Sequence, residues 1–152
     1  MITSSGVPLN LKILATNPNT SEDVLRGLAK NEYSYIRYTV AGHINTPADS
    51  LVHLGKDTYW EVRIHVAQHP NTPLTVLKEL THDEDDGVRQ FIIRNPNITP
   101  ALLIMILEYE NTFKLPNTVT IKELYNHPKL PLVGKSIIET VYRHRIQYLK
   151  DI

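Results

Sequence analysis

A chain of 152 residues is long enough for one domain with a real core and removes roughly 70% of its extended-chain surface from water on folding. Lys plus Arg is 16 and Asp plus Glu is 16, so the formal charge is zero, and 41% hydrophobic with 21% charged residues is the composition of a folded protein rather than a disordered one. The absence of Cys excludes disulfides, thiolate metal sites, a Cys nucleophile and a Cys-ligated iron-sulfur cluster. The opening residues carry no basic region followed by an apolar one, and no window nears about 18 apolar residues, so neither signal peptide nor membrane span is supported and a soluble cytoplasmic protein is expected.

Internal repetition dominates the chain. Leu14-Ala15-Thr16-Asn17-Pro18-Asn19-Thr20 aligns with Val40-Ala41-Gly42-His43-Ile44-Asn45-Thr46, then with Val66-Ala67-Gln68-His69-Pro70-Asn71-Thr72 and Ile92-Ile93-Arg94-Asn95-Pro96-Asn97-Ile98. The period is 26 residues without insertion from Pro18 through Ile44 and Pro70 to Pro96. Leu25, Leu51, Leu77 and Leu103 keep the same phase, as do Ile36, Val62 and Val88, and Arg37, Arg63 and Arg89. Columns so consistent define units of about 14–39, 40–65, 66–91 and 92–123, with a cap at 124–152, all within one domain spanning 1–152.

Each unit reads as two short helices. Pro8 to Ile13 is an irregular lead-in. Thr20, Thr46 and Thr72 stand where N-cap hydroxyls accept from free backbone N–H groups, Pro47 and Pro73 at the first helical position, and Asp23 and Asp49 at the third. The first helix should run about ten residues, burying Val24, Leu25 and Leu28 or their equivalents Val76, Leu77 and Leu80. A polar break at Lys30–Ser34 or Asp83–Gly87 precedes a second stripe such as Ile36, Val40 and Ala41, which ends at the next Asn-Pro or His-Pro turn. Beyond Leu107 the phase slips: Pro128 follows Pro96 by 32 residues, which puts an inserted loop at 109–119. The pattern resumes at Leu124-Tyr125-Asn126-His127-Pro128 and closes with a longer helix from Leu132 to Leu149, whose polar outer face is supplied by Arg143, Arg145 and their neighbours.

At these residues the chain resembles the leucine-rich repeat variant family, whose units carry an Asn-Pro-x-Thr-Pro turn, a Leu-containing helix and a Val-Arg pair. It is also similar to HEAT-like helical repeats. The resemblance covers roughly Leu14 to Ile106 and implies an all-α, right-handed α-solenoid of four to five 26-residue helical hairpins, used as a recognition surface without chemistry of its own. The iron-sulfur cluster of the family's first-described member needs Cys residues that this chain lacks, so no cofactor is expected.

Arg37, Arg63 and Arg89 form a column that could grip phosphates. The resemblance implies a structural role instead: Asn31, Asp57 and Asp83 stand six residues upstream of them, the spacing of an Asp/Arg ladder tying neighbouring interhelical loops together. His65 and His69, four apart, with His43 one unit before His69, invite a metal, but His43 and His69 occupy the column filled by Asn17 and Asn95, no third ligand or HExxH pattern accompanies them, and none is expected to bind. The run His82-Asp83-Glu84-Asp85-Asp86-Gly87 lacks the ligand alternation of a calcium loop and reads as a solvated connection. No nucleophile elbow, Walker motif or dinucleotide Gly pattern occurs, so an enzyme is not expected.

The interhelical loops should be solvated, yet the first carries Tyr33 and Tyr35 and the second carries Tyr59 and Trp60, the single Trp. Clustered Tyr and Trp beside Arg is the make-up of a protein-binding hot spot, unless the rings fold over the edge of a thin core. Charge is uneven: residues 1–110 hold nine basic and thirteen acidic residues, while 111–152 hold seven and three. The basic end, with Arg143 and Arg145, is a second place for a protein contact. The expected function is non-catalytic protein–protein recognition, the partner another protein. The alternative is nucleic-acid binding on a HEAT-like surface, although four excess positive charges are few for that purpose.

Overall fold

A computed structural model describes residues 6–114 and 116–142. Among them the chain is all-helical: α1 (Leu9–Thr16), α2 (Glu22–Leu28), α3 (Ser34–Ala41), α4 (Ala48–Leu54), α5 (Trp60–Gln68), α6 (Leu74–Leu80), α7 (Asp86–Ile93), α8 (Pro100–Glu110), α9 (Thr118–Asn126) and α10 (Leu132–Val141). None is long and apolar enough to cross a membrane. The odd-numbered helices pack in a row, α1 on α3, α3 on α5, α5 on α7 and α7 on α9, and the short even-numbered helices lean against them.

The sequence columns become layers of one core. Leu25, Leu51, Leu77 and Leu103 are fully buried, as are Ile36, Val62 and Val88 from the odd helices. Burying each such side chain contributes about 1.5–3 kcal/mol, which a helix of seven residues needs because it is marginal on its own. The close approach of α4 to α6 depends on Gly55: a Cβ there would lie 2.8 Å from Val76 Cγ1 and 3.2 Å from the Leu51 carbonyl oxygen.

Several local expectations are corrected. The stretch Pro8 to Ile13 is not an irregular lead-in, since α1 starts at Leu9. It packs on α3 as α3 packs on α5, although its column residues are less regular. Helices α2, α4 and α6 have 7 residues rather than ten, because they start after Ser21, Pro47 and Pro73 and their last turns tighten into i→i+3 bonds, from Asn31, Asp57 and Asp83 N–H to the Leu28, Leu54 and Leu80 carbonyls. Helix α8 continues through Tyr109 and Glu110, and α9 starts at Thr118, so the non-helical connection is 111–117. The part of the closing helix beyond Tyr142 lies outside the described residues.

The Thr column does different work from that expected. Thr20, Thr46 and Thr72 do not cap the following helix: each hydroxyl donates backwards, to the carbonyls of Leu14 (2.6 Å), Val40 (2.5 Å) and Val66 (2.6 Å). They satisfy the open C-terminal end of the preceding helix, where main-chain acceptors lack intrahelical donors. Only at Thr99, one position later in its unit, does a threonine accept from the next helix, at Leu102 N–H (3.3 Å) with Pro100 behind it.

The turns between units are stitched by a second set of bonds. His43 Nε2 meets the Asn17 carbonyl at 2.9 Å, His69 Nε2 meets the His43 carbonyl at 3.0 Å, and Asn95 Nδ2 donates to the His69 carbonyl at 3.2 Å. The side-chain acceptor of each, Nδ1 or Oδ1, takes the N–H two residues on, at Asn45, Asn71 and Asn97. A proton therefore sits on Nε2 of both imidazoles, and both rings are neutral in this arrangement. Asn and His are interchangeable here because each offers one donor and one acceptor at the right separation.

Candidate functional site

The Arg column is placed by the odd helices, one turn in from their N-termini. Arg37 donates through Nε and Nη2 to the two carboxylate oxygens of Asp57 (2.5 and 3.1 Å), and Arg63 to those of Asp83 (2.7 and 2.8 Å). The remaining fork points back: Arg37, Arg63 and Arg89 donate through Nη1 to the carbonyls of Asn31, Asp57 and Asp83. The residue six upstream thus contributes its main chain, and the carboxylate comes from twenty residues downstream, in the next unit. Each carboxylate also accepts the N–H two residues on, Tyr59 from Asp57 and Asp85 from Asp83.

Asn31 holds the same turn by accepting from Tyr33 N–H at 3.0 Å. Its side chain meets no guanidinium, because one period before Arg37 the column holds Leu11. A carboxylate at 31 would have no cation to face, and an amide suffices.

Burial raises the Asp57 carboxyl, but hydrogen bonds from Arg37 and Tyr59 N–H, with the charge of Arg37, outweigh it and hold the group below the ordinary range. The hydrogen bonds from Arg37 to Asp57 and from Arg63 to Asp83 raise both guanidinium pKa values against the opposing effect of burial. Arg89 has a different partner: Nε meets Glu110 Oε1 at 2.7 Å, with the Tyr109 and Phe113 rings 5.3 and 5.4 Å from the guanidinium carbon. Glu110 is completely buried, and its other oxygen accepts Asn117 N–H at 3.1 Å. Sequence columns place Tyr109 opposite Asp83, so Glu110 was missed. The available signal was a carboxylate one residue out of phase beside a Pro-Asn loop.

The aromatic residues part company. Tyr33 is partly buried against the core, whereas Tyr35, Tyr59 and Trp60 face solvent, with Tyr59 51% and Trp60 47% exposed. Tyr59 and Trp60 sit at the start of α5, as N-cap and first helical residue, and Tyr35 is in the first turn of α3. A groove runs between the two helices, lined by Ser34, Tyr35, Tyr38, Tyr59, Glu61 and Val62. It draws in Tyr38, which sequence reading passed over although it lies three residues from Tyr35 on one helix face.

Cations and a histidine steady the rings. Lys12 Nζ stands 5.5 Å from the Tyr35 centroid, the Arg37 guanidinium carbon 5.6 Å from that of Tyr59, and the His65 ring 4.1 Å from that of Tyr38. Among the described residues no hydrogen bond engages the hydroxyls of Tyr35, Tyr38 or Tyr59 or the Trp60 indole N–H, and no ion pair engages Glu61.

The remaining candidates are accounted for locally. Both nitrogens of His43 and His69 are held by main-chain groups. Burial lowers the His69 pKa, opposed in part by its bond to the His43 carbonyl, and burial followed by the nearby His69 lowers that of His65. The acidic connection is less solvated than its composition suggests: Asp83 serves Arg63, Asp85 caps α7 through Val88 N–H (3.1 Å), and Asp86 accepts from Asn117 Nδ2. Glu84 alone of the four is exposed. Arg143 and Arg145 lie outside the described residues.

The leucine rich repeat variant family model matches residues 60–85. That stretch is one 26-residue period, from Trp60 at the start of α5 to Asp85, the N-cap of α7. It contains Arg63, Asp83 and the His69–Thr72 turn, so the matched segment holds one copy of each structural column. No curated protein and no solved structure matches the chain.

Proposed function

We propose that the chain is a right-handed α-solenoid of four to five 26-residue units acting as a non-catalytic scaffold in the cytoplasm, recognising another protein through the aromatic face of α3 and α5. The observation that carries this reading is the exposure of Tyr35 and Tyr59 around one groove, with Trp60 exposed next to Tyr59 at the start of α5, while the repeating apolar columns are buried. Large rings that keep one edge polar and leave half their surface in water are suited to a hot spot. A second contact at the basic end, through Arg143 and Arg145, belongs to the same proposal.

The alternative of nucleic-acid binding loses its main support. The three guanidinium groups that would grip phosphates are engaged by Asp57, Asp83 and Glu110. The test is to capture the native partner on the immobilised protein and measure affinity for wild type and Trp60→Ala. A loss of about 2 kcal/mol, roughly 30-fold, with an unchanged melting temperature is the expected result. Unchanged affinity for Trp60→Ala, or retention on heparin that falls steeply with salt, would reject the reading.

A further inference from the structure

The groove between α3 and α5 favours one kind of protein ligand over others, given that it is a recognition site as proposed above. An amphipathic helix needs a deep aliphatic trough, and the only aliphatic residue here is Val62, itself buried. Strand addition needs an open sheet edge, and the described residues form no sheet. An anionic motif needs free arginines, whereas Arg37 and Arg63 are each held by a carboxylate and the groove wall carries Glu61.

Three observations point the same way. Three of the six lining residues are tyrosines, Tyr35 and Tyr38 on α3 and Tyr59 at the N-cap of α5, the residue type on which pyrrolidine rings stack. Among the described residues, the hydroxyls of Tyr35, Tyr38 and Tyr59 and the neighbouring Trp60 indole N–H are donors without acceptors. A polyproline II segment has carbonyls without internal donors, fully turned to solvent. Finally, Glu61 is a carboxylate without a cation in the groove wall. We infer that the α3–α5 groove binds an extended, proline-rich segment of a partner protein, with tyrosine rings receiving the prolines, their hydroxyls bonding its carbonyls, and Glu61 meeting a Lys or Arg beside the proline run. Lys12 and Arg37, placed against Tyr35 and Tyr59, hold the rings in position before the ligand arrives, which lowers the ordering cost of binding.

The experiment titrates the full chain with a synthetic peptide of about ten residues, long enough at 3.1 Å per residue to cross both helices, made of prolines with one arginine. A second peptide has the prolines replaced by alanines, and a third has the arginine replaced by glutamine. Chemical shifts of the backbone amides of α3 and α5 report binding. The expected result is saturable binding of the proline peptide and none of the alanine peptide. Tyr35→Ala or Tyr59→Ala should weaken it at least tenfold, and Glu61→Gln should cost about twofold to fivefold with the arginine peptide and nothing with the glutamine one. Tyr35→Phe, which keeps the ring, separates the hydroxyl contribution from loss of packing.

A selection from random peptides, run in parallel, distinguishes the two levels of failure. If it yields non-proline sequences whose binding is lost in Tyr59→Ala, the proline assignment is overturned and the recognition face stands. If no selected peptide responds to Tyr35→Ala, Tyr59→Ala or Trp60→Ala, both are overturned.

Discussion

The junctions spanning residues 14–98 and the last junction, from α7 to α10, handle the same guanidinium in two ways. In the regular ones Arg37 and Arg63 meet an aspartate three residues past the end of a short helix, with the aspartate side chain 5% or 6% exposed. In the last, α8 is four residues longer than α6, a tyrosine occupies the aspartate column, and the carboxylate moves to Glu110, which is sealed from solvent. The turn bonds change as well: among the described residues no imidazole-to-carbonyl bond links the Pro96 and Pro128 turns, and Lys129 Nζ instead donates to the Ile98 carbonyl at 3.0 Å. What persists across both is the requirement that a largely buried guanidinium receive a carboxylate. The period can slip; the charge pairing cannot.

The largest effect should come from the sealed pair. Glu110→Ala leaves Arg89 as a buried charge without its partner and should cost about 3–5 kcal/mol in urea denaturation. A loss below about 1 kcal/mol would show that the last junction does not depend on the relocated carboxylate. In the regular region Asp83→Ala and Arg63→Ala should each cost about 2–3 kcal/mol, and the double variant clearly less than the sum. The same cycle on Asp57 and Arg63 should be closer to additive, since Arg63 takes only the main-chain carbonyl of Asp57. Equal coupling in the two cycles would break the assignment of partners.

A smaller effect separates the two halves by pH. His69 is held neutral by a donor on one nitrogen and an acceptor on the other, and burial keeps its pKa below the ordinary 6.5. The unfolded chain therefore binds the proton more readily, so its contribution to stability is complete above about pH 6.5 and declines as pH falls below that value. His69→Asn should preserve stability at pH 7.5, because Asn95 makes the equivalent bonds, and should flatten the acid loss. Stability measured by denaturant at pH 7.5 and 5.5 checks both statements. The smallest effect belongs to Arg26, which pairs with Glu22, Asp23 and Asp49 on the open surface, and Arg26→Ala should lie within the error of the same assay at physiological salt.

The helix order and the buried columns were legible because the 26-residue period copies the same contacts three times, so that Leu25, Leu51 and Leu77 speak for one another. What the pattern hid was direction. Thr46 and Thr72 look like caps of the helix that follows, but a hydroxyl is both donor and acceptor, and the nearer partner is the carbonyl six residues behind. Equally, the upstream aspartate in each unit looks like the partner of its own arginine, whereas the side chain reaches the arginine of the unit before. Glu110 and Tyr38 escaped for another reason. Each is defined by a neighbour the repeat does not copy, the insertion in one case and Tyr35 in the other. As for the aromatic loops, their composition left two readings open, and the placement of α3 and α5 separated Tyr33, which packs, from Tyr59 and Trp60, which do not.

The aromatic face is spare surface rather than core, and a single tryptophan makes it accessible to one measurement. In the isolated protein Trp60 emission should be red-shifted and readily quenched by acrylamide, and Trp60→Ala should change stability by less than about 1 kcal/mol, well short of the 3–5 kcal/mol lost when a large aromatic is removed from packed surroundings. Blue-shifted emission protected from quencher, together with a loss in that larger range, would return the ring to the core.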